Sequence, residues 1–340
     1  MNKLNWGIVG CGDVTEKKSG PAFYNLPHTT LHAVMRRNEA AAADYALRHH
    51  VPTYYTDATK LINDPEVDAI YIATPPSSHM HYAIEALEAG KPVYVEKPMA
   101  LNLAECEKMI SVSQKTGVPL FVAYYRRHIN YFKQIKAILD KGEIGTVLSA
   151  QIRFWRSPSK SDFRNDSKNW RLNVSIAGGG YFVDMASHQI DLLLWFFGKI
   201  QSVKGFASNR AALYQVEDTV EAIFEFESGV LAHGSWSFVA AEKDVTDRFE
   251  IIGTKGKISF STFDMEYIRK EIKGIEVEID HKLIVSHKPS IVEMPMIEYV
   301  SNLIIEGKQD VNALSDAGKV TQIIDEILSE YRHNSENKYE

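Results

Sequence analysis

The chain has 340 residues, room for two domains at the usual ~100–200 residues each. Its 45% hydrophobic and 24% charged residues suit a globular protein, and a net charge of −6 excludes a general nucleic-acid binder, which carries a basic stripe. Two cysteines, Cys11 and Cys106, exclude a disulfide framework or a cysteine-rich zinc site, and no apolar run approaches the ~20 residues that span a membrane. No charged-then-apolar leader precedes the first apolar run, so the expected home is the cytoplasm, with no membrane or nucleic-acid partner.

From residue 1 to about 123, short β-rich runs alternate with helical ones. Strands are predicted at Leu4–Val9, Leu31–Arg36, Ala69–Ala73, Val93–Val95 and Leu120–Ala123. Helices are predicted at Glu39–His49, His79–Ala89 and Ala104–Thr116, with Gly90-Lys-Pro92 and Gly117-Val-Pro119 as stops. Continuous apolar strands between helices imply an α/β, doubly wound parallel sheet. After 124 the rhythm changes. Ile129–Leu139 reads as a helix, Val147–Trp155 as a strand, and Ser157–Ser175 as a polar loop. Gly178-Gly-Gly180 precedes a helix at Tyr181–Phe197. Strands follow at Val203–Ser208, Thr219–Glu227, Leu231–Val239, Arg248–Gly253 and Gly256–Ser261, with hairpin turns at Glu227-Ser-Gly229 and Gly253-Thr-Lys-Gly256. Such closely spaced strands predict a mostly antiparallel sheet. Asp316–Arg332 reads as an amphipathic helix. The expected domains are therefore 1–123 and 124–340.

The first strand runs into Gly10-Cys-Gly12 and a helix, the entry to a dinucleotide site. There the first glycine permits a tight turn and the second lets a pyrophosphate approach; Asp13 and Val14 open the helix beyond it. Thr15 stands where a third glycine is usual. The second strand ends in Met35-Arg-Arg-Asn38, with no acid until Glu39. A carboxylate there would bond the ribose hydroxyl of NAD, whereas Arg36 and Arg37 suit the 2′-phosphate of NADP. NADP is the expected cofactor and NAD the alternative. Thr74-Pro-Pro-Ser-Ser-His79 follows the third strand at the same sheet edge, so Thr74, Pro75 and His79 either form a rigid turn or line the nicotinamide ribose. Ser77 or Ser78 would cap the next helix.

Glu96-Lys97-Pro98 places an amine at that edge too. A lysine beside a positive nicotinamide has its ammonium form disfavoured, which suits it to exchange a proton with a hydroxyl. Asp184 and His188, four apart, share a helix face, and a carboxylate can orient a proton-transferring imidazole. Asp191, three further on, lies within reach of the same ring, and a buried, satisfied His–Asp pair is the structural alternative. No third ligand suggests a metal.

Gly10-Cys-Gly12, Glu96-Lys-Pro98, Trp170-Arg171 and Gly178-Gly-Gly-Tyr-Phe-Val-Asp184-Met-Ala-Ser-His188 occur in an order and spacing that resemble the glucose–fructose oxidoreductase / inositol dehydrogenase / MocA (Gfo/Idh/MocA) family. The resemblance implies an N-terminal Rossmann domain and a C-terminal α/β domain with a large open, mostly antiparallel sheet, through which dimers or tetramers form. It implies hydride transfer between NAD(P) and a carbon of a sugar, polyol or related carbonyl. By position, Lys97 matches a lysine contacting substrate and nicotinamide ribose, Asp184 a substrate-orienting acid, and His188 a proton-transfer histidine. Trp170 and Arg171 match a pair that reaches the cofactor of a facing region. Arg127 matches an arginine after the last Rossmann strand, where the family often has a proline three residues on and this chain has Asn130. Met35-Arg-Arg-Asn38 resembles a Ser-Arg-Asn turn of NADP-using members, with Arg36 for the serine. Other readings are an NAD-dependent glycosidase acting by transient oxidation and a non-catalytic NADP-responsive regulator. Tyr124, Tyr125, Phe154, Trp155, Trp170 and Trp236 include candidates for stacking on a sugar or for core.

Overall fold

A computed structural model describes residues 3–160, 162–164, 169–272, 275–278 and 289–336. Among them the chain divides into two compact units, 1–125 with 289–321, and 126–288 with 322–340. The sequence reading carried everything after 123 into one second domain. The contacts instead assign 289–321 to the first unit.

The first unit is built on six parallel strands: β1 (Leu4–Val9), β2 (Thr29–Met35), β3 (Thr53–Tyr55), β4 (Ala69–Ile72), β5 (Val93–Val95) and β6 (Leu120–Val122). Their order is β3-β2-β1-β4-β5-β6. β4, β5 and β6 are buried along their whole length, as the apolar runs require of strands covered on both faces. The covering helices include α1 (Asp13–Lys17), α2 (Gly20–Asn25), α3 (Glu39–Arg48), α4 (Ala58–Ile62), α5 (His79–Glu88) and α6 (Leu103–Thr116). Asn38 and Asn102 cap α3 and α6 with their side chains, and Gly117 closes α6 in the left-handed region at φ 70°. Ser78 does not cap α5. Its hydroxyl donates to Thr74 Oγ1 at 2.7 Å, spending the side chain on the preceding loop. β3 was missed by sequence because its three residues are too short for a pattern.

The second unit opens with α7 (Asn130–Asp140) and holds an eight-stranded sheet of β7 (Val147–Trp155), β8 (Ile200–Ser208), β9 (Thr219–Phe226), β10 (Leu231–Ser237), β11 (Thr246–Gly253), β12 (Gly256–Phe260), β13 (Ile268–Ile272) and β14 (Ile275–Glu278). The order is β14-β13-β12-β11-β7-β10-β9-β8, antiparallel except for the β7–β10 pair. In β9 the burial alternates strictly along the strand, one face packed and one exposed. Both expected hairpins form, β9–β10 and β11–β12. The expected loop 157–175 holds short 3-10 turns at Asp162–Arg164 and Trp170–Leu172, and its last two residues begin a short helix, α8 (Val174–Ala177); 161 and 165–168 lie outside the described residues. α9 (Tyr181–Phe197) is apolar nearly all round and forms the core of this unit, where Phe182 meets Trp236 edge to face at 5.1 Å. Two further helices end the chain, α10 (Met294–Ile305) and α11 (Val311–Glu336).

Candidate active site

The strand order reverses beside β1, which lies between β2 and β4, and ligands of open parallel sheets bind outside the carboxyl ends at such a point. Gly10 sits there at φ +95°, a region that favours glycine, and its N–H donates to Met35 O of β2 at 3.0 Å. A Cβ at Gly10 would stand 2.6 Å from Thr74 Cγ2. A Cβ at Gly12 would instead meet nothing closer than Gly10 O at 3.9 Å. That open approach to the backbone is what a pyrophosphate needs, so the turn fits a dinucleotide. As first-turn residues of α1, Asp13 and Val14 have N–H groups with no intrahelical acceptor.

Thr15, at the position of the third glycine, is fully buried. Its hydroxyl accepts from Gly12 N–H at 3.0 Å and donates to Gly12 O at 2.8 Å, closing the turn from within. The close packing a third glycine would allow falls at Gly20, whose Cβ would stand 2.1 Å from Thr15 O. Glu16 ties α1 to the end of α3 through Arg48 at 2.7 Å and His49 at 2.9 Å. The Arg48 guanidinium first, then His49, holds its carboxyl down at about 2. Cys11, inside the turn, is pushed up to about 11 by burial, which keeps it a thiol.

Arg36 and Arg37 follow β2, both exposed, and neither forms an ion pair with another described residue. The Arg36 charge is felt at Cys11, so the guanidinium stands by the glycine turn. Thr74 and Pro75 follow β4, with Thr74 packed on Gly10. His79 does not reach solvent. Its Nε2 lies 2.7 Å from Thr74 O and its Nδ1 3.0 Å from Pro98 O, so it pins two loops rather than lining a cofactor surface. Burial pushes its pKa down, against the two carbonyls that favour a proton on each nitrogen. Glu96 is buried and accepts from the Tyr71 hydroxyl at 2.7 Å and the Lys97 N–H at 3.2 Å, while Lys97 is partly exposed.

In the second unit Asp184 and His188 share one face of α9. His188 is buried, and Asp184 is partly open and paired with Arg171 Nε at 3.2 Å. The Arg171 guanidinium lies 4.5 Å from the ring centre of Trp170, so these two form one cluster with the Asp184 carboxylate. Asp191 spends both carboxylate oxygens on Arg127, at 2.9 Å and 2.7 Å. Arg127 thus belongs to this unit as half of a bidentate ion pair, a geometry that leaves its fork committed to a buried acid. Of the aromatic candidates, Tyr124, Tyr125, Phe154 and Trp236 are core, while Trp155 and Trp170 are partly exposed.

Sequence reasoning missed two buried glutamates. Glu217, just before β9, accepts from Gly180 N–H at 2.8 Å, fixing the start of α9. A Cβ on Gly180 would stand 2.7 Å from Val216 Cγ2 and 3.0 Å from Glu217 Oε1, so the glycine leaves room for this close approach. Glu293, at the start of α10, is described below. Proline at the opening of α10 was the available signal for that helix start. Among the described residues there is no group of three or more His, Cys, Asp or Glu placed to hold a metal ion.

Residues 4–124 match the oxidoreductase family with an NAD-binding Rossmann fold, and residues 132–259 match the GFO/IDH/MocA C-terminal domain. The chain belongs to the Gfo/Idh/MocA oxidoreductase family. Within it the chain is 39% identical over 324 residues to an "Oxidoreductase P35" of Formosa agariphila, covering 95% of this chain and 98% of that one. It is 29% identical over 259 residues to a myo-inositol 2-dehydrogenase of Thermotoga maritima, covering 74% and 73%. A levoglucosan dehydrogenase solved with NADH and levoglucosan superposes with a TM-score of 0.84 at 23% identity over 96% of both chains, which shows the shared Gfo/Idh/MocA fold. A nicotinamide dinucleotide is therefore the cofactor class. Among the described residues no helix is long and apolar enough to cross a membrane.

Proposed function

We propose that this chain is an NADP-dependent oxidoreductase that interconverts a hydroxyl and a carbonyl on a sugar, polyol or related small molecule. The observation that carries the cofactor choice is the end of β2, where Arg36 and Arg37 are exposed and form no ion pair with a described residue, the Arg36 charge is felt at Cys11 of the glycine turn, and no carboxylate stands between Met35 and Glu39. A bound nicotinamide supplies a hydride acceptor or donor at its ring. Gly10, Gly12, Asp13, Val14, Arg36, Arg37, Thr74 and Pro75 would hold it, and His79 would set the loops that Thr74 and Pro98 belong to. In the oxidative direction the substrate hydroxyl loses its proton to His188 or Lys97 as its carbon gives up a hydride. Asp184, steadied by Arg171, orients the substrate. Phe206, Ile223 and Leu231 are exposed on one face of β8, β9 and β10, and that face supports assembly with further copies of the chain.

Nicotinamide absorbance with a panel of sugars, polyols and dicarbonyls, run with NADP and NAD in both redox states, tests this. Turnover faster with the NADP pair is expected. Turnover favouring NAD would overturn the role given to Arg36 and Arg37. Cleavage of a glycosidic bond with no net cofactor turnover would overturn the reaction class.

A further inference from the structure

The first unit buries a second carboxyl under the Glu96-Lys97-Pro98 turn. It comes from Glu293, at the start of α10 and nearly 200 residues away in sequence. The backbone fixes it there: Glu293 N–H donates to Lys18 O at 3.3 Å, and Glu293 O accepts from Met296 and Ile297 at 3.0 Å each. Only 1% of the residue is exposed. Its side chain lies against Glu96 and Tyr94, with the ammonium groups of Lys18 and Lys97 in electrostatic reach. Its Oε2 receives no hydrogen bond. The neighbouring Glu96 carboxyl is differently placed, with the Tyr71 hydroxyl on Oε1 and the Lys97 N–H on Oε2. Tyr71 Oη also lies 3.0 Å from Ser19 Oγ.

A buried carboxylate oxygen with no donor costs heavily, and two carboxylates side by side do not both ionise. Both problems vanish if Glu293 carries a proton and gives it to Glu96, which already has two donors and is the natural acceptor. We propose that Glu293 is a proton-bearing positioning residue whose carboxyl donates to Glu96 and so holds the turn that presents Lys97. Burial first, and Glu96 second, push Glu293 well above the ordinary carboxyl range, in agreement with the geometry. Lys18 and Lys97 oppose this, and Tyr71 and Tyr94 are themselves raised by burial and supply no charge. The pair then bears one negative charge. The role assigned to Lys97 rests on the function proposed above, but the protonation of Glu293 does not.

Infrared difference spectra of the full chain at pH 8, in water and heavy water, read that proton directly. A protonated-carboxyl stretch is expected in the wild type and is lost in Glu293→Gln. It moves to higher frequency in Glu96→Ala, where its acceptor is gone. No band difference between wild type and Glu293→Gln, or a band indifferent to Glu96, would overturn the proposal. This arm needs neither substrate nor turnover, so it stands even if the reaction class fails. For positioning, Glu293→Gln keeps a donor and is expected to keep kcat. Glu293→Leu keeps the volume without a donor and is expected to lose kcat by about tenfold, the scale of one hydrogen bond to a charged group, with cofactor affinity unchanged. A Leu variant that turns over like wild type would overturn the positioning role, and if it does not fold, the Gln variant and the infrared band still decide.

Discussion

At the scale of single residues, the buried carboxyls do the shaping. Glu217 is raised from 4.5 to about 7, chiefly by burial and against the pull of the Gly180 N–H and the Arg332 guanidinium. A group whose folded pKa is raised holds its proton longer in the native state than in the unfolded chain. Its contribution is therefore complete below 4.5, falls as pH rises through 7, and is lost above. At ~1.4 kcal/mol per pH unit the loss is about 3 kcal/mol. Glu217→Gln does not titrate but still offers an oxygen to Gly180. Urea unfolding at pH 4.5 and pH 8 should show the variant gaining on wild type by about that amount at the higher pH. A gap that does not change with pH would mean Glu217 titrates normally. The proton-transfer role proposed for His188 gives a catalytic counterpart. General acid–base groups contribute ~10²–10⁴-fold, so His188→Ala should lower kcat by that factor while cofactor titration is unchanged. Unchanged turnover would remove it from the chemistry. His188 and Asp184 were legible in the sequence because four-residue spacing survives in any helix. The Arg171–Asp184 and Arg127–Asp191 pairs were not, because ion pairs depend on how separate segments meet.

At the scale of elements, the strand–turn–helix at Gly10-Cys-Gly12 makes two glycines do different work. Gly10 is required by the fold itself: its φ is +95° and its Cβ would collide with Thr74. Gly12 has room for a methyl, so the fold does not require it, and the constraint proposed for it is the approach of a pyrophosphate. Gly10→Ala should therefore destabilise the chain, by roughly 1–3 kcal/mol for strain and clash. Gly12→Ala should melt within about a degree or two of wild type, an effect of a few tenths of a kcal/mol, yet bind the reduced nicotinamide cofactor at least tenfold more weakly. Thermal melts and fluorescence titration of the reduced cofactor separate the two. Equal affinity in Gly12→Ala would take the pyrophosphate away from this turn. The elements read best from sequence were those with length and punctuation, such as β1, β7 and α9. β3, β13, β14, α2, α4 and α10 were missed. β3 and β14 are three and four residues long, α2 and α4 six and five, β13 carries three charges in five residues, and α10 is too apolar to show one face.

At the scale of the whole molecule, the alternation of β and α over residues 4–124 announces a Rossmann domain, and it is natural to end that domain with its sixth strand. The packing does not. Trp6, fully buried in β1, donates through its indole N–H to Ser301 Oγ at 3.3 Å, and Met296, Ile297 and Val300 of α10 are buried in the same unit. Further along, Thr321 of α11 reaches the Cys106 thiol at 3.5 Å. No pattern within 1–125 signals these partners, because the strand faces they cover look like any other covered face of a parallel sheet. Residues 1–125 alone would leave Trp6 and its neighbours exposed, at about 1.5–3 kcal/mol for each large apolar side chain uncovered, against a net stability of only ~5–15 kcal/mol for a typical domain. A chain ending at 125 is therefore expected to give no sharp near-ultraviolet dichroism and no cooperative urea transition. Residues 1–125 joined by a short flexible linker to 289–321 should recover both, together with binding of the nicotinamide cofactor. Cooperative folding of 1–125 by itself would show that α10 is an ornament on this unit rather than part of its core.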